Sequence, residues 1–206
     1  MKTQWCGLLA SALLLGLIAC SDTAKKETKQ PEKPPEPVTG RQAFQYMYPA
    51  ARTWILDAQP LQLQSYNLPQ VKSANGRAGA WQATIVSVAQ GQSRLYTYSV
   101  IEAEGNLHRG VFAGPVQSWS QHGQSTPFLV AAIKIDSDEA IQTAMKQKDT
   151  ITFTTKYPDK PVGFLLEQTR RFPDLAWRVF WGESVGSSEY SVFIDATTGK
   201  FLEKVR

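Results

Sequence analysis

The chain has 206 residues, with 22 lysines and arginines against 18 aspartates and glutamates, and only two cysteines. No run of five or six like charges occurs, and the short basic stretches at Lys146 to Lys148 and Arg170-Arg171 read as solvated surface, which excludes a nucleic-acid face. Two cysteines exclude a disulfide framework and a cysteine-built metal site.

Lys2 precedes an uncharged apolar stretch, Trp5 to Ala19, and small residues lead up to Cys20. Such a stretch is too short to cross a core of about 30 Å comfortably as a helix, and it reads as a secretory signal peptide over residues 1–19. Leu17-Ile18-Ala19-Cys20 resembles the bacterial lipobox, which implies cleavage before Cys20 and diacylglycerol on its thiol. Two or three acyl chains hold a protein firmly where one does not, so Cys20 is the expected lipid-attachment residue and the membrane the first expected partner. Ser21, rather than aspartate, follows it, and the resemblance then implies the outer membrane, facing the periplasm. Cys6 leaves with the signal peptide and Cys20 carries lipid, so no thiol remains for a disulfide, a zinc site or a nucleophile.

Residues 20–40 are the expected lipidated cysteine and disordered tether. Beyond Val38 this segment has no large apolar residue, its lysines and acids balance, and Pro31, Pro34, Pro35 and Pro37 favour extended conformations. At about 3.1 Å per residue its stretched limit is roughly 60 Å.

Two units follow, expected at 41–119 and 128–206. In the first, Phe44, Met47, Tyr48, Ala51, Trp54 and Ile55 mark a helix that Pro49 is expected to kink or restart. Alternating "LQLQ" at Leu61 to Gln64, "WQATIVSV" from Trp81 and "LYTYSVI" from Leu95 read as strands, closed by a turn at Glu104-Gly105-Asn106. In the second, Asp136-Ser137 opens a helix with Asp138 and Glu139 in its first turn, where carboxylates meet the positive helix end. "DTITFTTKY" (149 to 157) fits either a short strand or a helix extension. "GFLLEQT", "WRVFW" from Trp177, "YSVFI" from Tyr190 and a turn at Thr198-Gly199-Lys200 complete it. Trp81 and Trp177 hold the same place in the two halves, which predicts an α+β fold of two tandem helix-plus-antiparallel-sheet units rather than one continuous sheet. The stretch from Trp119 to Pro127 is the expected linker, and it would allow the units to move relative to each other.

Ile135 to Ala144 ("IDSDEAIQTA"), Trp177-Arg178-Val179 and Tyr190 to Lys200 ("YSVFIDATTGK") resemble the PepSY family. The first unit matches only in outline, with Glu102 to Gly105 standing where the second has Asp195 to Gly199. In that turn Asp195 can accept from backbone N–H groups, and the glycine permits positive φ. PepSY modules are similar to part of the propeptides of thermolysin-like proteases and occur in envelope proteins. The resemblance implies protease binding or inhibition, or envelope sensing, and supplies no catalytic residue.

"GESVG" at Gly182 to Gly186 has the spacing of a nucleophile elbow around Ser184. An elbow needs a helix after it and the triad histidine later in the chain, whereas a strand pattern follows and both histidines, His108 and His122, come earlier. The segment reads as a hairpin loop. His108 and His122 lack ligand-spaced partners, "DSDE" at Asp136 to Glu139 reads as a helix cap rather than a calcium loop, and no phosphate loop is present, so no catalytic residue, metal or cofactor is expected.

Trp177, Val179 and Trp181 alternate onto one strand face. Burial under a helix is the expected role of that face. The alternative is an exposed aromatic strip, which makes Trp177 and Trp181 the candidate binding face. The sequence predicts a lipid-anchored, non-enzymatic binding or inhibitory module for an envelope protein, using sheet edges or strand faces. A small-ligand or cell-wall binding protein is the second reading.

Overall fold

The computed structural model describes residues 34–205. The signal peptide, Cys20 and the tether up to residue 33 lie outside the described residues. Folded structure begins before the expected tether end at 40. Val38–Thr39 form strand β1, antiparallel to β3 (Arg77–Ala78), and Val38 and Thr39 are both buried.

Helix α1 (Gly40–Trp54) is opened by Thr39, whose hydroxyl accepts from the Gln42 N–H, and ends where Ile55 turns extended. Ala43, Phe44, Met47 and Ala51 form its buried stripe. The expected restart at Pro49 does not occur. Proline removes one backbone donor, but buried side chains on either side pack against the same sheet and hold the helix continuous.

Four strands follow in the first half: β2 (Gln59–Tyr66), β4 (Ala80–Ser87), β5 (Gln92–Ser99) and β6 (Gly110–Ser118). The short β7 (Ser125–Thr126) leads to the second half. That half has helices α2 (Ser137–Met145) and α3 (Lys148–Lys156) and strands β8 (Val162–Thr169), β9 (Ala176–Trp181), β10 (Tyr190–Asp195) and β11 (Phe201–Val205). Segment 149–157, open between strand and helix in the sequence, is thus largely α3. Each half is helix followed by a four-stranded antiparallel meander, so the fold is α+β with an internal repeat.

The halves are not separate sheets. Their first strands pair, with Leu63 opposite Leu166, giving the order β11-β10-β9-β8-β2-β4-β5-β6, and β7 adds a ninth strand on β8. The two helix-plus-sheet units are present as expected, but their strands join into one continuous sheet, which corrects the expectation that they would not. Pairing β2 with β8 removes two exposed edges at once, and it lets one hydrophobic core run under both helices. Nor is the segment 119–127 a free linker. Its Ser125–Thr126 pair with Gln168 and Thr169, the Trp119 N–H bonds to the Gly91 carbonyl, and the chain from Pro34 onward forms one compact unit.

Trp81 and Trp177 sit at the centre of the core, both fully buried, with rings 6.3 Å apart and nearly edge to face. The Trp81 Nε1–H donates to the Val38 carbonyl at 3.0 Å, and the Trp177 Nε1–H donates to the Ile135 carbonyl at 2.9 Å. Each acceptor immediately precedes the residue that caps its half's helix. The repeat therefore extends to individual hydrogen bonds. A buried indole needs a partner for its N–H, and both halves meet that need in the same way.

Candidate functional site

The N-termini of α1 and α2 meet above the two tryptophans. Asp136 caps α2 within a capping box closed by Glu139, as the sequence predicts. The same carboxylate accepts from the Arg41 N–H at 2.9 Å, and the Ser137 hydroxyl accepts from the Gly40 N–H at 2.8 Å while donating to the Gly76 carbonyl at 2.5 Å. Asp136 is 6% exposed. One buried carboxylate thus faces the positive ends of two helices and satisfies donors of both. Gly40 permits the approach, since a Cβ there would lie 2.6 Å from the Trp177 ring. Asn75 and Gly76, both at positive φ, form the two-residue turn that carries the Gly76 carbonyl to this junction. The Asn-Gly pair was readable in the sequence as a turn signal, but its docking on the other half was not.

Trp177 and Trp181 do not form an exposed strip, being 0% and 4% exposed. Trp177 lies beneath the helix junction. Trp181 is covered by α3, packing on Phe153 and Tyr190, whose hydroxyl is 3.1 Å from the Thr150 hydroxyl. The candidate binding face is corrected to core, because the ambiguous segment folded as the helix that covers it.

The edge of Trp181 still reaches a surface groove of about 550 Å³. Leu68, Pro69 and Ser73 of the first half form one wall, and Ile141, Met145 and Tyr157 of the second form another. The buried Ser73 hydroxyl oxygen has no hydrogen-bond partner there. The groove is mixed in character, with Lys72, Asp159 and Lys160 also lining it.

"GESVG" is part of the loop between β9 and β10, and β10 follows it. Ser184 and Ser187 bond each other, 2.9 Å between hydroxyls. The loop is pinned by Arg178 from β9, which donates to the Val185 carbonyl and to the Ser188 and Ser191 hydroxyls. His108 is locally bonded, its Nδ1 being 2.6 Å from Glu102. The Glu102 carboxyl, which also accepts from the Arg109 N–H, is held below the usual carboxylate range, first by that backbone donor and then by His108. His122 sits in the turn before β7. The turn after β10 has the predicted form: Asp195 accepts from the Thr197 and Thr198 N–H groups, with Gly199 at φ +73°.

Among the described residues, the strand order ends in two edges, β6 and β11. Strand β6 carries Pro115, which has no N–H to offer a further strand. Strand β11 has no proline, and Phe201 and Leu202 are exposed on it at 37% and 39%. Among the described residues, no helix is long and apolar enough to cross a membrane.

No curated protein matches the chain. Among solved structures, a candidate lipoprotein from Clostridium difficile 630 is similar in fold, with a TM-score of 0.51 at 10% identity, over 85% of this chain and 95% of that one. The second half has the more specific likeness: residues 134–205, running from just before the Asp136 cap to the end of β11, match the model of the PepSY family, described as peptidase propeptide and YPEB domain.

Proposed function

We propose that this protein is a non-catalytic, lipid-anchored envelope protein that binds, and by binding inhibits or regulates, an envelope protein such as a protease. The observation that carries the reading is the open β11 edge at the end of the PepSY-matching half. An edge strand offers backbone donors and acceptors to an extended segment of a partner, and Phe201 and Leu202 add apolar contact. The other edge is blunted by Pro115, so strand addition is directed to one end of the sheet. The lipobox-like Cys20 supports membrane attachment, and Ser21 supports the outer membrane facing the periplasm.

In-cell cross-linking followed by affinity capture tests this, with a control that keeps the signal, Cys20 and tether but lacks the folded body. One dominant envelope protein, lost when Leu202→Pro blocks the edge, is the expected result. Equal recovery with the control overturns it. The groove favours a second reading, binding of a small amphipathic ligand or cell-wall component, because it brings apolar side chains and an unpartnered hydroxyl from both halves into one concavity. Capture without any enriched protein, together with ligand-induced changes at Trp181, would put this reading first.

A further inference from the structure

The sheet face turned away from the helices carries a residue row that crosses strands from either half. Strand register places Gln82, Gln64, Leu165, Arg178, Phe193 and Glu203 side by side on β4, β2, β8, β9, β10 and β11. Arg178 is the charged residue at the middle of the second half, and it is half-buried. Its Nε donates to the Ser191 hydroxyl at 3.0 Å, and one terminal nitrogen donates to the Ser188 hydroxyl at 2.9 Å and the Val185 carbonyl at 3.2 Å. All three acceptors are neutral. Its guanidinium also lies 5.7 Å from the centroid of the Phe193 ring.

Among the described residues, Arg178 has no carboxylate within ion-pair distance. Glu167, an acid on this face whose charge acts on Arg178, is engaged by the Gln62 amide and the Ser125 hydroxyl. Arg171, on the same side, bonds Glu203. The second terminal nitrogen of Arg178 makes no hydrogen bond among the described residues, which leaves two N–H donors on a cation locked in orientation by three others. Burial lowers the guanidinium's pKa, Glu167 partly offsets this, and Arg171 lowers it further, so the charge is held without direct compensation. A guanidinium in this condition favours an arriving anion.

We infer that Arg178 is an anchor for a carboxylate of a protein partner, an aspartate or glutamate on a segment lying across the outer sheet face. The free terminal nitrogen can donate a charge-assisted hydrogen bond to one oxygen of a carboxylate, the anion that an extended protein segment carries, and inorganic phosphate is the competing anion in the test. The Phe172–Phe193 stack, with centroids 4.4 Å apart, gives apolar residues beside that acid a surface to rest on. The inference deepens the proposed function by naming partner chemistry and a second contact area, and it rests on that reading only for the partner being a protein.

The test uses ¹⁵N-labelled protein from Ser21 onward, titrated at constant ionic strength with acetyl-Val-Glu-Val-Glu-Val-amide, its glutamine counterpart and inorganic phosphate. The expected result is a saturable shift of the Arg178 Nε–H signal and the Ser188 and Ser191 amides with the glutamate peptide. The glutamine peptide should bind about tenfold or more weakly, as loss of a charge-assisted hydrogen bond requires. Arg178→Met should abolish saturation, and Arg178→Lys should weaken it while the remaining spectrum reports an intact fold. Non-saturating shifts, equal shifts at all arginines, or tighter binding of phosphate than of the glutamate peptide would overturn the inference. A positive titration with failed in-cell capture would reject the envelope-protein reading and leave the anchor, and the reverse pattern would reject the anchor alone.

Discussion

Asp136 holds the junction between the two halves, and Asp136→Ala is the perturbation that measures it. The carboxylate caps α2 and also accepts from the Arg41 N–H at 2.9 Å. Loss of a helix cap costs about 1 kcal/mol, and stranding the partly buried Arg41 donor costs about 1–3 kcal/mol more. The contact with the Arg41 guanidinium at 3.7 Å adds little, because that side chain is 42% exposed. The sum is roughly 2–4 kcal/mol, which for a body of this size lowers Tm by roughly 5–15 °C. Asp136→Asn retains an acceptor oxygen and loses only the charge facing two helix ends, so it should cost about 0.5–2 kcal/mol. Thermal and urea denaturation, followed by far-UV circular dichroism on protein from Ser21 onward, compares the variants. A cost below about 0.5 kcal/mol for the alanine variant, or equal costs for alanine and asparagine, would refute the shared-cap account.

Gly40→Ala should destabilise by about 1–3 kcal/mol, because the new methyl group meets the enclosed Trp177 ring. Gly186→Ala, with nothing within 4 Å, should leave urea unfolding unchanged. With Trp54 and Trp119 replaced by phenylalanine, the remaining Trp81, Trp177 and Trp181 should emit at blue wavelengths and resist acrylamide, and red, quenchable emission would contradict their burial. The Glu102 carboxyl should titrate below the ordinary glutamate value of about 4.3. Since its pKa is depressed in the fold, the closure of the Glu102–Arg109 loop is fully supported above the unfolded value and weakens as pH falls through the folded one. Carboxyl-carbon NMR checks this, and a midpoint at or above the ordinary value would refute it. A fluorophosphonate probe should give no labelling that depends on Ser184, whose hydroxyl partner is Ser187.

Local signals in the chain determined much of this protein. The Asp136 cap, the Asp195 turn, the strands at Trp81, Trp177 and Tyr190, and the equivalence of the two tryptophans all depend on neighbours within a few residues or on one alternating face, and such information is written in sequence order. Tertiary structure decided how the halves meet. No local pattern specifies that Leu63 lies opposite Leu166, that one aspartate serves two helices, or that α3 covers Trp181. Arg178 shows the same division. Its place on the outward face follows from period two, but its three neutral acceptors and open nitrogen arise only once the loop at Val185 and the strand at Ser191 are brought around it. Contacts between residues far apart in sequence depend on which surfaces bury best together, and that choice is made by the whole core rather than by any segment of it.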